Sequence, residues 1–321
     1  MKIGITIGDP AGIGPEIIGK FFKNIKTDLT YEDIEWVIFG TPELTLENTL
    51  LVDQARDLDW TSVRHGVPCE VSASIQKRAL YDAIAWIKAG KIDAIVTAPW
   101  TKSSFRFLGE KPVGHTEILE AELGTPRKNK AVMLLAGDAL RVALLTTHIP
   151  LSQVHKKISV AGIHEISKIV YDSLQRDFGI AKPSLAILGL NPHAGEEGAM
   201  GREEIDIIRP AIAELKGQGL EIEGPFSADT YFVRYLYSGA GKCHDAVICM
   251  YHDQGLIPLK TIHFGASANI TIGLAHIRTS VDHGTAHDIA GKGIANPESL
   301  KYAIDRAISM VKNRAELRSN E

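Results

Sequence analysis

The sequence predicts an α/β protein in which a mixed sheet is flanked by helices. Short apolar runs alternate along the chain with longer amphipathic stretches, which is the pattern of strands that alternate with helices. Several short runs are almost continuously apolar and β-branched, as expected for strands covered on both faces. Two of them are separated only by Gly137–Leu140, which is short enough for a hairpin, so one antiparallel pair is expected.

The individual elements follow from the same patterns. The predicted strands are Lys2–Ile7, Glu35–Phe39, Ile92–Thr97, Ala131–Ala136, Arg141–Thr146, Ser184–Leu188, Asp245–Met250 and Ala268–Ile272. The predicted helices are Pro15–Lys23, Ser74–Ala89, Thr116–Leu123, Ser159–Phe178, Arg202–Lys216 and Pro297–Arg314. The last helix is expected to have Asn296 as its N-cap and Pro297 at its first position.

The composition is that of an ordinary soluble protein and argues against two classes of partner. The formal net charge is −4 and the pI about 6.3, so no broad basic field exists to hold nucleic acid or an anionic membrane. No apolar run reaches the length of a membrane span. Cys69, Cys243 and Cys249 form neither a CxxC pair nor a disulfide framework, so a reducing cytoplasm is expected, with Cys249 in the core.

Three histidines each follow a predicted apolar strand by a few residues. They are His148 in VALLTTHIP, His193 in LAILGLNPH and His252 in AVICMYHD. Ligands collect outside the carboxyl ends of strands in open α/β sheets, and three imidazoles suit a borderline divalent ion such as Zn²⁺. An ordinary loop position is the alternative for each histidine, and the residues alone leave the two interpretations evenly balanced.

Two turns carry glycine beside polar residues. GDPAGIGPE, after the first strand, lacks the Lys-Ser/Thr of a P-loop, and Ile17 takes the place of the third glycine of a Rossmann fingerprint. It is interpreted as a strand-to-helix turn, with a weak anion site as the alternative and Asp9 as a candidate helix cap. After His252, Gly255 is interpreted as the residue that turns the chain, and Lys260 follows it.

A series of motifs along the chain resembles one known family. The motifs are GDPAGIGPE, GHTE, TTHIP, GLNPHAGE, GPFSADT, MYHDQG, NITIGL and IRTSVDHGTA, and they extend in this order from Gly8 towards Asn296. In that order they resemble the family of 4-hydroxythreonine-4-phosphate dehydrogenases over nearly the whole chain.

The resemblance implies a two-lobed fold like that of isocitrate and isopropylmalate dehydrogenases, with mixed sheets flanked by helices and an active site in the cleft between the lobes. Residues 1–118 and 270–321 would form one lobe with the NAD adenosine loop, and residues 119–269 the metal, substrate and dimerisation lobe. A homodimer with shared active sites is also implied. That superfamily binds NAD or NADP without a Rossmann fingerprint, which accounts for its absence here.

The resemblance further assigns roles to individual residues. The implied metal ligands are His252 of one subunit with His148 and His193 of its partner. The implied substrate-binding residues are His115, Thr116, Lys260, Asn269 and Arg278. Asp229 and Asp253 match acidic positions near the reacting centre, and the adenosine of NAD is expected near His283, Asp288 and Asn296.

The implied reaction oxidises the C3 hydroxyl of 4-phosphooxy-L-threonine with NAD and releases CO₂, giving 3-amino-2-oxopropyl phosphate for pyridoxal phosphate biosynthesis. Zn²⁺ is expected to acidify the hydroxyl and polarise the ketone, with Co²⁺ or Mg²⁺ as alternatives. Asp253 or Asp229 would take the proton, although either could instead orient a ligand histidine. Lys260 and Arg278 would pair with the phosphate and carboxylate.

Two alternatives remain open. The first is the same chemistry on 4-phospho-D-threonate or 4-phospho-D-erythronate, because stereochemistry at C2 is recognised by geometry that motifs do not reveal. The second is a non-catalytic module that binds a metal or a nucleotide. Such a module would give no reason for Lys260, Arg278 and His115 to accompany the three histidines.

Overall fold

A computed structural model of the protein describes residues 1–40, 49–52, 57–124, 130–237, 241 and 243–320. The chain divides into two compact units: unit 1 is Met1–Ala131 with Ala268–Lys312, and unit 2 is Val132–Ser267 with Asn313–Glu321. The boundaries predicted from the sequence follow residues 118 and 269, and the division of roles between the lobes stays a prediction.

Unit 1 contains a mixed sheet. Its strands are β1 (Lys2–Thr6), β2 (Glu35–Phe39), β3 (Thr49–Val52), β4 (Ala94–Thr97), β10 (Ala268–Ile272) and β11 (Ile277–Val281). They lie in the order β3-β2-β1-β4-β11-β10, and every neighbouring pair is parallel except β10 with β11. The helices are α1 (Gly14–Ile25), α2 (Glu70–Lys88), α3 (His115–Leu123) and most of α9 (Glu298–Asn320).

Unit 2 contains a second run of strands in mixed orientation. They are β5 (Val132–Ala136), β6 (Arg141–Leu144), β7 (Ser184–Leu188), β8 (Glu221–Phe226) and β9 (Ala246–Cys249), in the order β5-β6-β9-β7-β8. Only β5 with β6 is antiparallel. The helices are α4 (Leu151–Val154), α5 (Val160–Phe178), α6 (Arg209–Gly217), α7 (Ala228–Tyr231) and α8 (His252–Ile262), and a π-helical turn, Glu204–Ile208, leads into α6.

The strand predictions are confirmed because strands that are apolar on both faces form the core of each unit. In unit 2, Val142, Val247 and Cys249 belong to one buried cluster, which places Cys249 in the core as expected. Burial raises the pKa of the Cys249 thiol, so the sulfur is unreactive. No helix in the described chain combines the length and hydrophobicity of a membrane span.

Two local predictions at element ends are also confirmed. The β5–β6 hairpin is closed by the Gly137 N–H, which donates to the Leu140 carbonyl at 2.9 Å. The Asn296 side chain caps α9, since its Oδ1 accepts from the Glu298 N–H at 3.0 Å. Asp9 does not cap a helix: Ile13 is the N-cap of α1, and Asp9 Oδ1 instead accepts from the Ala11 N–H at 3.0 Å.

The segment after β9 is a helix, so the interpretation of Gly255 as a turn residue is wrong. Gly255 and Pro258 both lie inside α8, although each disfavours a helix. A Cβ on Gly255 would lie 2.2 Å from Val142 Cγ1 and 3.0 Å from Cys249 Sγ, so only glycine lets α8 lie directly on β6 and β9. His252 therefore begins a helix that is packed against the strands.

Candidate active site

Three neighbouring parallel strands of unit 2 each lead to one of the candidate histidines. β9 lies between β6 and β7 and is parallel to both. His148 follows β6, His252 follows β9, and His193 follows β7. Because parallel strands end at the same edge of a sheet, the sequence delivers all three imidazoles to one edge.

His148 and His252 form a pair within one chain. Their ring centroids lie 5.5 Å apart, with 44° between the ring planes. His252 Nδ1 lies 2.6 Å from Asp253 Oδ1. An ionised carboxylate can only accept, so the proton lies on Nδ1, and the lone pair of Nε2 is left for a cation.

His193 lies on a backbone that few residues adopt. Residues 193–197 all have positive φ, between 42° and 80°. The side chain of His193 is 63% exposed, and its Nδ1 lies 3.9 Å from Asp229 Oδ2. A hydrogen bond from the Ser227 hydroxyl lowers the pKa of Asp229, so this carboxyl is ionised at neutral pH.

In the part of the chain that the structure describes, no three His, Cys, Asp or Glu side chains could hold a metal ion. Within one chain the ring of His148 lies beside that of His252, and the expected sharing of the three histidines between two subunits stays a prediction. Two adjacent imidazoles, one of them oriented by a carboxylate, nevertheless fit Zn²⁺ or Co²⁺ and leave positions for a further ligand and a substrate.

A cavity of about 690 Å³ in unit 2 adjoins these groups. His193, Asp229 and Asp253 line it together with apolar side chains. Three of those apolar side chains are exposed: Val233 at 43%, Leu236 at 56% and Ile257 at 65%. Exposed apolar groups around a polar centre are typical of ligand-binding grooves and of interaction surfaces. Lys260 lies further along α8 with an exposed side chain.

Arg278 is a buried cation in unit 1. It lies on β11 with 2% exposure, and it donates to the Thr271 hydroxyl at 2.9 Å and the Thr97 hydroxyl at 2.7 Å. These threonines lie on the strands that flank β11, so the sheet itself holds the guanidinium. Burial lowers the pKa of Arg278 to about 9, which leaves it protonated at neutral pH.

The Arg278 guanidinium can donate more hydrogen bonds than it makes to the described residues. Its Nε is buried without a hydrogen-bond partner in the described chain. The hydroxyls that it contacts are neutral, so they do not balance its charge. Because a buried charge is costly unless it is paired, this arrangement favours an anionic ligand at Arg278.

His115 begins α3 and supplies a neutral polar group near this cation. Burial, followed by the charges of Arg278 and Lys102, holds the pKa of His115 well below its usual range. The centroid of its ring lies 4.5 Å from that of Trp100, and its buried Nε2 has no hydrogen-bond partner within the described residues. Thr116 is the next residue of α3, and the half-buried Asn269 lies on β10.

The predicted NAD residues lie in the segment between β11 and α9. His283 Nδ1 lies 3.0 Å from the Gly284 carbonyl, which can only accept, so Nε2 is an acceptor. That Nε2 is buried and unpartnered in the described chain, as expected where a ligand donates. Asp288 is exposed, and the exposed Asn296 uses its carboxamide oxygen to cap α9.

Sequence reasoning missed the contacts that hold this segment. His287 Nε2 lies 3.2 Å from Oδ2 of the fully buried Asp9, and the Lys20 ammonium donates to the Ala295 carbonyl at 2.6 Å. Glu16 Oε1 accepts from the Ala295 N–H at 2.7 Å. The only signal in the sequence was Asp9 in the glycine-rich turn, and its partner is 278 residues away.

Comparison with known proteins identifies relatives along nearly the whole chain. The family described as "Pyridoxal phosphate biosynthetic protein PdxA" matches residues 21–307. A 4-hydroxythreonine-4-phosphate dehydrogenase of Desulforapulum autotrophicum is 40% identical over 330 residues, covering 95% of this chain and 94% of the relative.

Solved structures give the same relationship and confirm the fold class. A 4-hydroxythreonine-4-phosphate dehydrogenase of Klebsiella pneumoniae is similar with a TM-score of 0.80 and 35% identity, over 97% of this chain and 99% of that one. An isocitrate dehydrogenase of Methylococcus capsulatus is similar in fold, with a TM-score of 0.54 and 17% identity, over 99% of this chain and 87% of that one.

Proposed function

Because the chain belongs to the PdxA family of pyridoxal phosphate biosynthetic proteins, we propose that it oxidises and decarboxylates 4-phosphooxy-L-threonine with NAD. The products are 3-amino-2-oxopropyl phosphate, CO₂ and NADH. The observation that carries this proposal is Arg278, a buried cation that no carboxylate balances among the described residues, with the neutral His115 nearby. A phosphorylated hydroxy acid supplies the anion that this site lacks.

The anionic ends of the substrate are held by different kinds of group. Arg278 pairs with one anionic group through its planar fork of donors. His115 and Thr116 contribute neutral hydrogen bonds from the first turn of α3, and Asn269 contributes its carboxamide from β10. Lys260 on α8 supplies a second positive charge for the other anionic group of the substrate.

A cation would be held by His148 and His252 of one chain and by His193 of a second copy. Zn²⁺ suits this nitrogen donor set best, with Co²⁺ or Mg²⁺ as alternatives. When bound, the cation lowers the pKa of the C3 hydroxyl and polarises the ketone, while NAD, or alternatively NADP, accepts the hydride.

The two aspartates have different roles in this proposal. Asp253 holds the Nδ1 proton of His252 and thereby orients the ring, because its Oδ1 is committed to that hydrogen bond. Asp229 is ionised at neutral pH and lies at the cavity that His193 also lines, so it is assigned as the base for the hydroxyl proton.

The protein acts as a homodimer with shared active sites. The exposed Val233, Leu236 and Ile257 around the cavity support a partner that covers this face. The adenosine of NAD binds near His283, Asp288 and Asn296. The cytoplasm is the proposed location, and neither nucleic acid nor membrane is a partner.

A substrate panel tests the reaction and its stereochemistry together. The purified protein, supplied with NAD and Zn²⁺, Co²⁺ or Mg²⁺, is expected to form NADH with 4-phosphooxy-L-threonine at a kcat/KM at least about tenfold above that for the D-acids, a difference of about 1.4 kcal/mol. NADH is followed by absorbance, with the unphosphorylated hydroxy acid as the control. A preference for 4-phospho-D-threonate or 4-phospho-D-erythronate would reassign the substrate, and no turnover with any of them would favour a binding module.

A further inference from the structure

The turn that presents His193 is held by a buried carboxylate that lies outside the cation site. We propose that Glu204 is the positioning residue of His193: its carboxylate holds residues 189–197 in the one conformation that brings the imidazole to the cation. This inference rests on the proposed function, because it takes His193 to be a cation ligand.

The His193 turn needs an external support. His193, Ala194, Glu196 and Glu197 have φ values of 51°, 51°, 42° and 51°. Residues other than glycine rarely adopt this left-handed region, and a run of them costs free energy at every position. The exposed ring of His193 has little packing of its own, so the position of its donor nitrogen depends on the backbone.

Glu204 supplies that support through donors at the entrance to the turn. Its Oε1 accepts from the Leu190 N–H at 2.7 Å and from the Asn191 N–H at 2.8 Å, and its Oε2 accepts from Asn191 Nδ2 at 2.9 Å. Glu204 is 1% exposed. Hydrogen bonds to an ionised acceptor are strong, and strongest where water is excluded.

The carboxylate of Glu204 occupies space that side chains on the neighbouring glycines would fill. A Cβ on Gly195 would lie 2.6 Å from Glu204 Oε2, and a Cβ on Gly189 would lie 3.1 Å from Oε1 and 2.9 Å from Ala194 Cα. The turn thus packs directly against the carboxylate. Glu204 itself begins the π-helical turn before α6, an irregularity that recurs at functional sites.

Glutamine cannot replace this glutamate despite its equal size. Among the described residues, all three bonds to the Glu204 carboxylate come from N–H donors. A carboxylate offers two acceptor oxygens, whereas a carboxamide offers one. In either orientation the amide nitrogen of glutamine would face a donor, at Asn191 Nδ2 or at the backbone. Glu203 is the matched control, because it is adjacent and only half-buried and accepts from Asn191 Nδ2 at 2.7 Å, whereas the Leu190 and Asn191 N–H groups donate to Glu204.

The test measures the binding of Co²⁺ to the full-length protein by calorimetry, without substrate. Glu204→Gln is expected to bind Co²⁺ about 10- to 100-fold more weakly, the usual effect of losing a partner that orients a ligand, and Glu203→Gln within about twofold of wild type. Hydrogen exchange of residues 189–201 is expected to speed up only in Glu204→Gln. Saturating Co²⁺ is expected to restore most of its kcat, and the KM for NAD is expected to stay unchanged.

Titrating His193→Ala with Co²⁺ in parallel distinguishes the positioning role of Glu204 from the assignment of His193 as a cation ligand. If His193→Ala loses Co²⁺ but Glu204→Gln binds it like wild type, the positioning role is overturned and the proposed function stands. If His193→Ala binds Co²⁺ like wild type, the cation assignment fails and the positioning role fails with it. Should Glu204→Gln not fold, Glu204→Asp decides, because the shorter side chain keeps the charge but cannot reach all three donors: an intact affinity overturns the inference, and a loss of about tenfold supports it.

Discussion

Arg278→Ala is expected to lower kcat/KM for 4-phosphooxy-L-threonine by about a hundredfold or more, while the protein stays folded. Truncating one partner of a buried, hydrogen-bonded charge pair costs roughly 2–5 kcal/mol, and 1.4 kcal/mol is tenfold. Here the protein provides the cation and its threonine supports, and the substrate provides the anion. Arg278→Ala is therefore expected to weaken substrate binding and to slow turnover.

The effect of Arg278 on stability distinguishes this role from a structural one. An uncompensated buried charge is unfavourable, so Arg278→Met is expected to unfold at the same temperature as wild type or higher. Steady-state kinetics and thermal unfolding are measured on the same preparations. Arg78→Ala is the control, because that exposed guanidinium pairs with Asp57 on the surface. A marked drop in melting temperature with unchanged kcat/KM would make Arg278 a structural residue.

The second large effect is expected from the histidines. His193→Ala and His252→Ala are each expected to lose more than about a hundredfold in cation affinity, because losing a ligand exceeds the usual effect of losing the group that orients it. Turnover falls in parallel, since the hydroxyl proton is no longer acidified. Calorimetry with Zn²⁺ and the rate of NADH formation provide the measurement.

A surface histidine serves as the control for both variants. His155 is exposed and lies in the short turn His155–Lys157 that follows α4, not directly after a strand as the three candidate ligands do. His155→Ala is therefore expected to bind Zn²⁺ and turn over like wild type. Full turnover by His193→Ala with wild-type affinity for Zn²⁺ would remove that residue from the site.

The sequence predicted the elements whose pattern is local. Runs such as Ala246–Cys249 are apolar throughout, with the β-branched Val247 and Ile248 at the centre, and their burial on both faces follows directly. β11 was missed because the charged Arg278 interrupts its apolar pattern, although the strand is buried at every position. α8 was missed because Gly255 and Pro258 both disfavour a helix. The structure shows that Gly255 lets the helix pack closely on β6 and β9, a contact that the sequence pattern does not reveal.

At the candidate site, the sequence predicts which residues follow strands but not the distances between their side chains. The three histidines were found by their positions after strands, because strand order is the only geometry that such a pattern carries. The pairing of His148 with His252 depends on how two loops end, which no local pattern encodes. Glu204 contacts Leu190, and Asp9 contacts His287, across segments that are separate in the sequence. The local sequence around these residues does not predict either contact.

The central claim is that His193 completes the cation site of a second copy of the chain, and mixing two inactive variants tests it most directly. His193→Ala and His252→Ala chains are unfolded, mixed in equal amounts and refolded, and NADH formation is compared with wild type treated in the same way. If His193 acts across the dimer, half of the dimers are mixed and each has one intact site, so about a quarter of wild-type activity returns. If all three histidines served the same chain, every site would keep one defect, and no activity above that of the separate variants would contradict the claim.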